Sequence, residues 1–103
     1  MLPMAKVVLK IYPPLSYKIS SKRVGALILE EEIDQCETLG DLLDRLASSD
    51  DEAWQILFDV QTHQIARHVV TIFNGRLLAS PERLETRLSD GDKITFLPAY
   101  MGG

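Results

Sequence analysis

Leu39, Leu42, Leu43 and Leu46 fall at i, i+3, i+4 and i+7, the stripe of a helix that lies on a sheet. Thr38 precedes the stripe with Asp41 three positions on, an approximate capping box in which aspartate stands in place of glutamate. Whatever surrounds this helix has to offer it an apolar surface.

The flanking segments supply one, because they alternate in the period of strands. Lys6-Val7-Val8-Leu9-Lys10-Ile11-Tyr12 puts Val7, Leu9 and Ile11 on one face, and Pro13-Pro14 stops it. A polar connection over Leu15 to Lys22 leads to a second apolar run, Val24 to Leu29, expected to pair antiparallel with the first. Glu30-Glu31-Glu32 interrupts its alternation before Ile33 and reads as a solvated edge. After the leucine helix, Ser49 and Glu52 repeat the capping spacing. Trp54, Leu57 and Phe58 then continue a second, shorter helical stripe to about Val60, and a polar link follows from Gln61 to Ala66.

Val69-Val70-Thr71-Ile72-Phe73 is a β-branched strand, and Asn74-Gly75 is a strong hairpin signal, since a type I′ turn needs positive φ at both central residues. Arg76 to Ala79 returns as a short strand. Ser80 to Leu88 reads as a loop or single turn with Leu84 and Leu88 tucked inward. The Asp90-Gly91-Asp92 turn then delivers the last strand, Lys93-Ile94-Thr95-Phe96-Leu97. The order β, β, α, α, β, β, β predicts an α+β fold: a mixed sheet of four to five strands with one main helix and a second shorter one on its face. The first and last strands are expected to pair in parallel at its centre.

With 103 residues, 46% of them hydrophobic and 25% charged, the chain is expected to form one domain over 1–103 around a single core. A formal net charge of −4 argues against a general binder of phosphate backbones, so nucleic acid is not an expected partner. Cys36 stands alone and reads as a reduced thiol rather than half of a disulfide. His63 and His68 are five residues apart with no cysteine or carboxylate arranged to complete a site, so no metal is expected. No signal peptide opens the chain and no stretch approaches the ~20 apolar residues of a membrane span. The expected compartment is the cytoplasm.

The chemistry of the chain concentrates in Pro98-Ala99-Tyr100-Met101-Gly102-Gly103. Proline has no N–H to give a neighbouring strand, so Pro98 is expected to end the ladder and release 98–103 as a flexible tail. Fully extended, six residues reach at most ~20 Å, enough to enter a partner's active site. Two glycines remove every Cβ from the tip, so it can pass a narrow channel. An ordinary frayed terminus is the plainer alternative. No nucleophile elbow, phosphate-binding loop, carboxylate pair or Ser/His/Asp set is present, so the chain is not expected to be an enzyme on its own. A terminal carboxylate, with a free pKa of about 3.3–3.7, is ionised at neutral pH and can attack the α-phosphate of ATP.

Thr38-Leu39-Gly40-Asp41-Leu42-Leu43, Asn74-Gly75-Arg76, Leu88-Ser89-Asp90-Gly91-Asp92 and Ile94-Thr95-Phe96-Leu97-Pro98 followed by Gly102-Gly103 together resemble the MoaD/ThiS sulfur carriers, ubiquitin-like β-grasp proteins. The resemblance covers about Ala5 to Gly103, and its specific part is the last third. It implies that an E1-like, ATP-dependent activating enzyme adenylates Gly103, next to Gly102, and that a sulfur donor converts it to a thiocarboxylate. ATP would be a cofactor of that enzyme, with none bound by the chain itself. It implies a docking surface around the tail, with Leu97, Phe73, Arg76, Tyr100 and Met101 as candidates; for Phe73 and Leu97 core packing is an equal alternative. Two departures stand out: Leu15-Ser16-Tyr17 occupies the place of an arginine common after the first strand, and Tyr100-Met101 replaces small tail residues.

The second helical stripe around Trp54 makes the chain longer than thiamine-type carriers. The resemblance therefore favours molybdopterin synthase, with its large subunit as acceptor and this chain as its small subunit. Sulfur delivery for cysteine or methionine synthesis is the alternative, since Tyr12-Pro13-Pro14-Leu15 and the Arg67 to Asn74 stretch resemble those carriers. A protein modifier joined to lysines by isopeptide bonds is another, and an inert-tailed docking module a third.

Overall fold

The computed structural model describes residues 5–13, 15–19, 25–48, 52–78 and 82–99. Seven strands and three α-helices follow in the order β1 (Ala5–Ile11), α1 (Leu15–Ile19), β2 (Leu27–Ile33), α2 (Leu39–Ala47), a 3-10 helix (Glu52–Ile56), β3 (Phe58–Asp59), β4 (Gln64–Ile65), β5 (Val69–Phe73), β6 (Arg76–Leu78), α3 (Glu82–Glu85) and β7 (Lys93–Pro98). Five strands make one mixed sheet in the order β2-β1-β7-β5-β6. β1 pairs antiparallel with β2 and parallel with β7, so the first and last strands lie side by side at the centre, as expected from the order of elements. The α+β class and the β-grasp arrangement hold.

One face of the sheet is the core. Val7, Leu9 and Ile11 of β1 and Ile94 and Phe96 of β7 are fully buried against Leu39, Leu42 and Leu43 of α2. α2 starts where its cap dictates: Asp41 N–H donates to Thr38 Oγ1 (3.1 Å) and Thr38 N–H donates to Asp41 Oδ2 (3.1 Å), so aspartate does close the box. The far side of the cap is tied to the chain before β7 by Leu39 N–H to the Thr86 carbonyl (2.8 Å) and a bridge between Thr38 and Arg87. Glu37, nearly buried at 9% exposure, meets Arg45 of α2 at 3.1 Å and also accepts the Asp34 N–H. Arg45 Nη2 reaches back to the Glu32 carbonyl at the end of β2.

Three segments differ from the sequence expectation. β2 does not stop at the glutamates but carries them to Ile33, since as an edge strand it can leave Glu30 and Glu32 exposed. Val24 lies outside the described residues. The connection after β1 contains α1, whose Leu15 and Ser16 are buried; the Ser16 hydroxyl donates to the Gly25 carbonyl (2.8 Å) and satisfies itself there. The second helix is a single 3-10 segment. Trp54, Leu57 and Phe58 are buried as expected, but Phe58 already belongs to β3, which forms a two-residue hairpin with β4. Asp59 turns the chain by accepting the N–H of Gln61 (2.9 Å) through Oδ1, an Asx turn that competes with helix continuation.

Candidate functional site

β7 lies between β1 and β5 and carries the chain towards residues 100–103, which lie outside the described residues together with the proposed site positions Tyr100, Met101, Gly102 and Gly103. Its start is clamped. Asn74, with φ +50°, and Gly75, with φ +85°, form the expected turn. The Asn74 side chain accepts the Lys93 N–H (2.8 Å) through Oδ1 and donates to Asp92 Oδ1 (3.0 Å). Asp92 Oδ2 accepts the Ser89 N–H (2.7 Å), and Asp90 Oδ1 accepts the Lys6 N–H (2.9 Å). The Leu88-Ser89-Asp90-Gly91-Asp92 motif thus locks the register between β1, β7 and the β5–β6 turn.

The other end of β7 runs one residue past the expected stop. Pro98 is within the strand, opposite Val69, and Ala99 N–H donates to the His68 carbonyl (2.7 Å). Bonding at Ala99 makes the Val69/Pro98 pair one whose backbone nitrogens point away from each other. The proline nitrogen therefore faces the β1 side, where pairing has already ended at Ile11/Phe96 and the last bond is Tyr12 N–H to the Phe96 carbonyl (3.0 Å). The next rung on that side would run from the residue-98 nitrogen to the Tyr12 carbonyl, a bond proline cannot make, so the β1–β7 ladder stops there while the bonds to β5 are untouched.

Alternation sorts the remaining candidates. Ile94 and Phe96 face α2, so Leu97 stands on the opposite face beside Val70 of β5. That outer face carries a row across all five strands, Leu77, Ile72, Thr95, Lys10 and Ile28, whose ends Leu77 and Ile28 are 66% and 54% exposed. Phe73 shares the phase of the buried Val69 and Thr71 and packs against the core, half-buried. It pairs with Ile94 at the start of β7, and Arg76, exposed, pairs with Phe73. Four residues of strand, ~13 Å, separate that end from Pro98. Leu97 alone among the described candidates stands at the base of the tail, and Phe73 and Arg76 are not gathered with it.

A groove of about 630 Å³ that the sequence pattern does not predict lies beside that base, walled by α1, the 3-10 helix and the β3–β4 hairpin and bordered by Pro98 and Ala99. Leu15, an apolar residue behind a Pro-Pro stop, is its local signal, and the hairpin that makes the second wall falls where the pattern predicts the end of a helix and a polar link. His63 packs edge-on against the Phe58 ring (centroids 5.2 Å apart, planes at 83°), and His68 lends its carbonyl to Ala99, so the two histidines serve different contacts. Among the described residues no group of three or more His, Cys, Asp or Glu could hold a metal ion, and no helix is long and apolar enough to cross a membrane.

Hydrogen bonds from the Thr38 backbone, then from its side chain, hold the Asp41 carboxyl below its ordinary value. It belongs to the α2 cap, remote from the tail in function.

Comparison with known proteins agrees with this architecture. Among solved structures the chain is similar to small archaeal modifier protein 1 (SAMP1) of Haloferax volcanii, at TM-score 0.70 and 22% identity over 96% of this chain and 100% of that one. It is similar to SAMP1 of Methanosarcina acetivorans, at TM-score 0.65 and 25% identity over 99% of this chain and 100% of that one. A candidate molybdopterin converting factor, subunit 1, of Pyrococcus furiosus matches at TM-score 0.62 and 19% identity over 93% and 99% of the two chains. No curated protein matches the chain significantly. Residues 22–103 match the ThiS family model, a span that runs from before β2 through the clamp at Asn74 to Gly103, and the chain therefore belongs to the ThiS family of ubiquitin-like sulfur carriers.

Proposed function

We propose that the chain is a sulfur carrier whose working group is the Gly103 carboxylate. The observation that carries this reading is that the family match includes Gly102 and Gly103, a few residues beyond the strand that ends at Pro98. An E1-like activating enzyme binds the outer sheet face and takes the tail into its own site. The carboxylate oxygen attacks the α-phosphate of ATP, and pyrophosphate leaves. A sulfur donor then attacks the acyl carbon, AMP leaves, and Gly103 ends as a thiocarboxylate. The slim tip suits a closed channel, and a closed channel suits a thiocarboxylate, a soft nucleophile that water and oxidants degrade.

The acceptor we favour is the large subunit of a molybdopterin synthase, in keeping with the name of the Pyrococcus furiosus relative. Sulfur delivery in cysteine or methionine synthesis uses the same tail chemistry and differs only in the acceptor. A second reading, a modifier attached to lysines, is favoured by the names of the two archaeal relatives. In each case the chain is a carried substrate that acts from the cytoplasm.

The test is intact mass after incubation with an activating enzyme, ATP and a sulfide source. The expected result is one oxygen-to-sulfur exchange located in the C-terminal peptide and lost when Gly102 and Gly103 are deleted. A mass that stays unchanged with every activating enzyme of the source cell defeats the proposal. Conjugate ladders in cell extract that vanish with the same deletion move the reading to the modifier. Transfer of the sulfur to a molybdopterin synthase large subunit, and not to a cysteine- or methionine-forming enzyme, decides the acceptor.

A further inference from the structure

β2 is a free edge of the sheet, seven residues long where the opposite edge, β6, has three. Bonding along β1 decides which of its backbone groups are unused. Val8 N–H donates to the Asp92 carbonyl (2.9 Å) and Tyr12 N–H to the Phe96 carbonyl (3.0 Å), so the even residues of β1 turn their backbone to β7 and the odd ones to β2. Val7 and Leu9 therefore exchange bonds with Glu31 and Leu29, which stand opposite them, and Ile28, Glu30 and Glu32 direct their backbone groups away from the sheet. Arg45 meets this outer edge, its Nη2 donating to the Glu32 carbonyl (2.8 Å). Five groups are left without a partner among the described residues: both of Ile28, both of Glu30 and the Glu32 N–H.

An edge of this length is a template for another strand, and folds commonly blunt it with proline, a bulge or a lysine. Between Leu27 and Ile33 the register with β1 is unbroken and none of these occurs. Glutamates stand there instead. Alternation puts Glu30 and Glu32 beside the exposed Ile28 on the outer face and Glu31 on the α2 face. No ion pair joins any of the three to a described residue. Lys10, opposite Ile28, lays its ammonium over the Tyr12 ring, 4.9 Å from the centroid, rather than towards the carboxylates. Charge then selects what can pair. A second copy of β2 laid antiparallel and centred on Glu30, the register that uses the whole free stretch, sets two Glu30 carboxylates directly opposite each other, which is destabilising. A strand with lysine or arginine at those positions is attracted on the same rungs.

We propose that this edge takes up an extended segment of another protein as a sixth strand, with basic side chains opposite Glu30 and Glu32 and an apolar one opposite Ile28. Main-chain bonds to the five free groups supply the binding, and the alternate side chains supply the selectivity. Arg45 closes the Ile33 end, so the added strand runs from Ile28 to the Glu32 N–H. β1 lies between β2 and β7, so the added segment leaves the tail-bearing strand unobstructed. The inference does not depend on the sulfur-carrier reading.

Amide NMR of the full chain with the synthetic peptide acetyl-Lys-Thr-Lys-Thr-Val-amide, at low salt, tests it. Antiparallel addition sets its valine opposite Ile28 and its lysines opposite Glu30 and Glu32. At saturation the Ile28 and Glu30 amides are expected to exchange about five-fold more slowly, while the Leu29 and Glu31 amides, already bonded to β1, keep their rates. Glu30→Pro removes a donor that β1 does not use, so the β1–β2 amides should report an intact sheet while peptide affinity falls about ten-fold. Glu30→Lys combined with Glu32→Lys is expected to reverse the preference, towards acetyl-Glu-Thr-Glu-Thr-Val-amide. The proposal is overturned if the lysine peptide fails to bind at millimolar concentration, binds without slowing Ile28 and Glu30, or binds Glu30→Pro equally well. Slowing that appears without peptide and grows with protein concentration assigns the edge to a second copy and overturns it as well.

Discussion

Asn74 and Lys93 exchange a reciprocal pair of hydrogen bonds across 19 positions of sequence: Asn74 N–H donates to the Lys93 carbonyl (2.8 Å) and Lys93 N–H donates to Asn74 Oδ1 (2.8 Å). One asparagine thus builds the hairpin turn, at φ +50°, and anchors the first residue of the tail-bearing strand. Asn74→Gly keeps the turn and loses only the side-chain bonds, about 1 kcal/mol of stability. Asn74→Ala loses the bonds and forces a Cβ residue without a compensating side chain into the left-handed region, for a total of about 2–3 kcal/mol. Urea midpoints should fall in the order wild type, Gly, Ala; an alanine variant as stable as the glycine one would show that the turn is not held in this geometry.

The Thr38–Asp41 box makes a pH prediction with a definite sign. Its hydrogen bonds favour the charged carboxylate, so the folded-state value of Asp41 lies below the unfolded one. A depressed carboxyl contributes stability that is present above the unfolded value, about 3.9, and is lost as pH falls through the folded one. Thr38→Ala is expected to cost about 1 kcal/mol at neutral pH. The difference between wild type and Asp41→Asn is expected to shrink below about pH 4. Titration of the Asp41 carboxyl by NMR checks the direction; a value at the ordinary carboxylate level would show that the box is absent in solution.

Gly40 presents a different kind of constraint. A Cβ there would meet the Leu84 carbonyl at 3.0 Å, His63 Nε2 at 3.1 Å and Leu84 Cβ at 3.3 Å. The histidine can swing away. The Leu84 carbonyl cannot easily follow, because the chain just after it is tied to the start of α2 through Leu39 to Thr86 and Thr38 to Arg87. Gly40→Ala gains up to ~1 kcal/mol of helix propensity and loses ~1–3 kcal/mol to overpacking. The net expectation is a loss of about 1 kcal/mol, read as a lower thermal midpoint; an unchanged or raised midpoint would mean that α3 retreats freely.

That glycine illustrates what could be read in advance. The leucine stripe, the cap and the Asn-Gly turn are written in short-range pattern, and each stands where the pattern put it; the central parallel pair of β1 with β7 joins the two ends of the chain and follows only from the order of elements. Gly40 carried no local signal of its own, because its reason is the approach of α3 from 44 residues downstream. The Trp54-Leu57-Phe58 spacing satisfies a helix and equally a 3-10 turn entering a strand; only the Asx turn at Asp59 separates them. Pro98 looked like a stop because a proline in a central strand normally leaves a ladder bond unmade. It is a stop on one side only: its nitrogen faces β1, where the ladder ends, while the β5 side runs on to Ala99, and which neighbour that nitrogen faces is a tertiary fact. The groove is legible only once α1 and the β3–β4 hairpin are both placed.

Thr71 is fully buried on the core face of β5, and its Oγ1 has no hydrogen-bond partner. A buried hydroxyl without a partner costs roughly 1–3 kcal/mol relative to a satisfied one, while an apolar group of the same shape costs nothing of that kind. Thr71→Val keeps the β-branched shape and adds strand preference. It is expected to be neutral or to stabilise by about 1 kcal/mol. A clear destabilisation in urea would reveal a partner for the hydroxyl in solution, such as an ordered water.

Leu97 offers the most direct test of the proposed docking face. It stands outward on the last full rung before the tail, beside Val70 and next to the row from Leu77 to Ile28. Being only partly buried and on the side away from α2, it supports the fold little, so Leu97→Glu should leave the thermal midpoint nearly unchanged. A charge placed within an apolar contact loses the transfer energy of the leucine and has to be desolvated. If the activating enzyme covers this face, the variant's adenylation efficiency should drop about thirty-fold or more, the scale of a hot-spot loss. Arg76→Ala, at the far end of β7, should change it far less. Equal effects of the two would place the enzyme's footprint across the whole sheet, and no effect of Leu97→Glu would move it to the groove side, where Arg67 and Ile56 become the residues to vary.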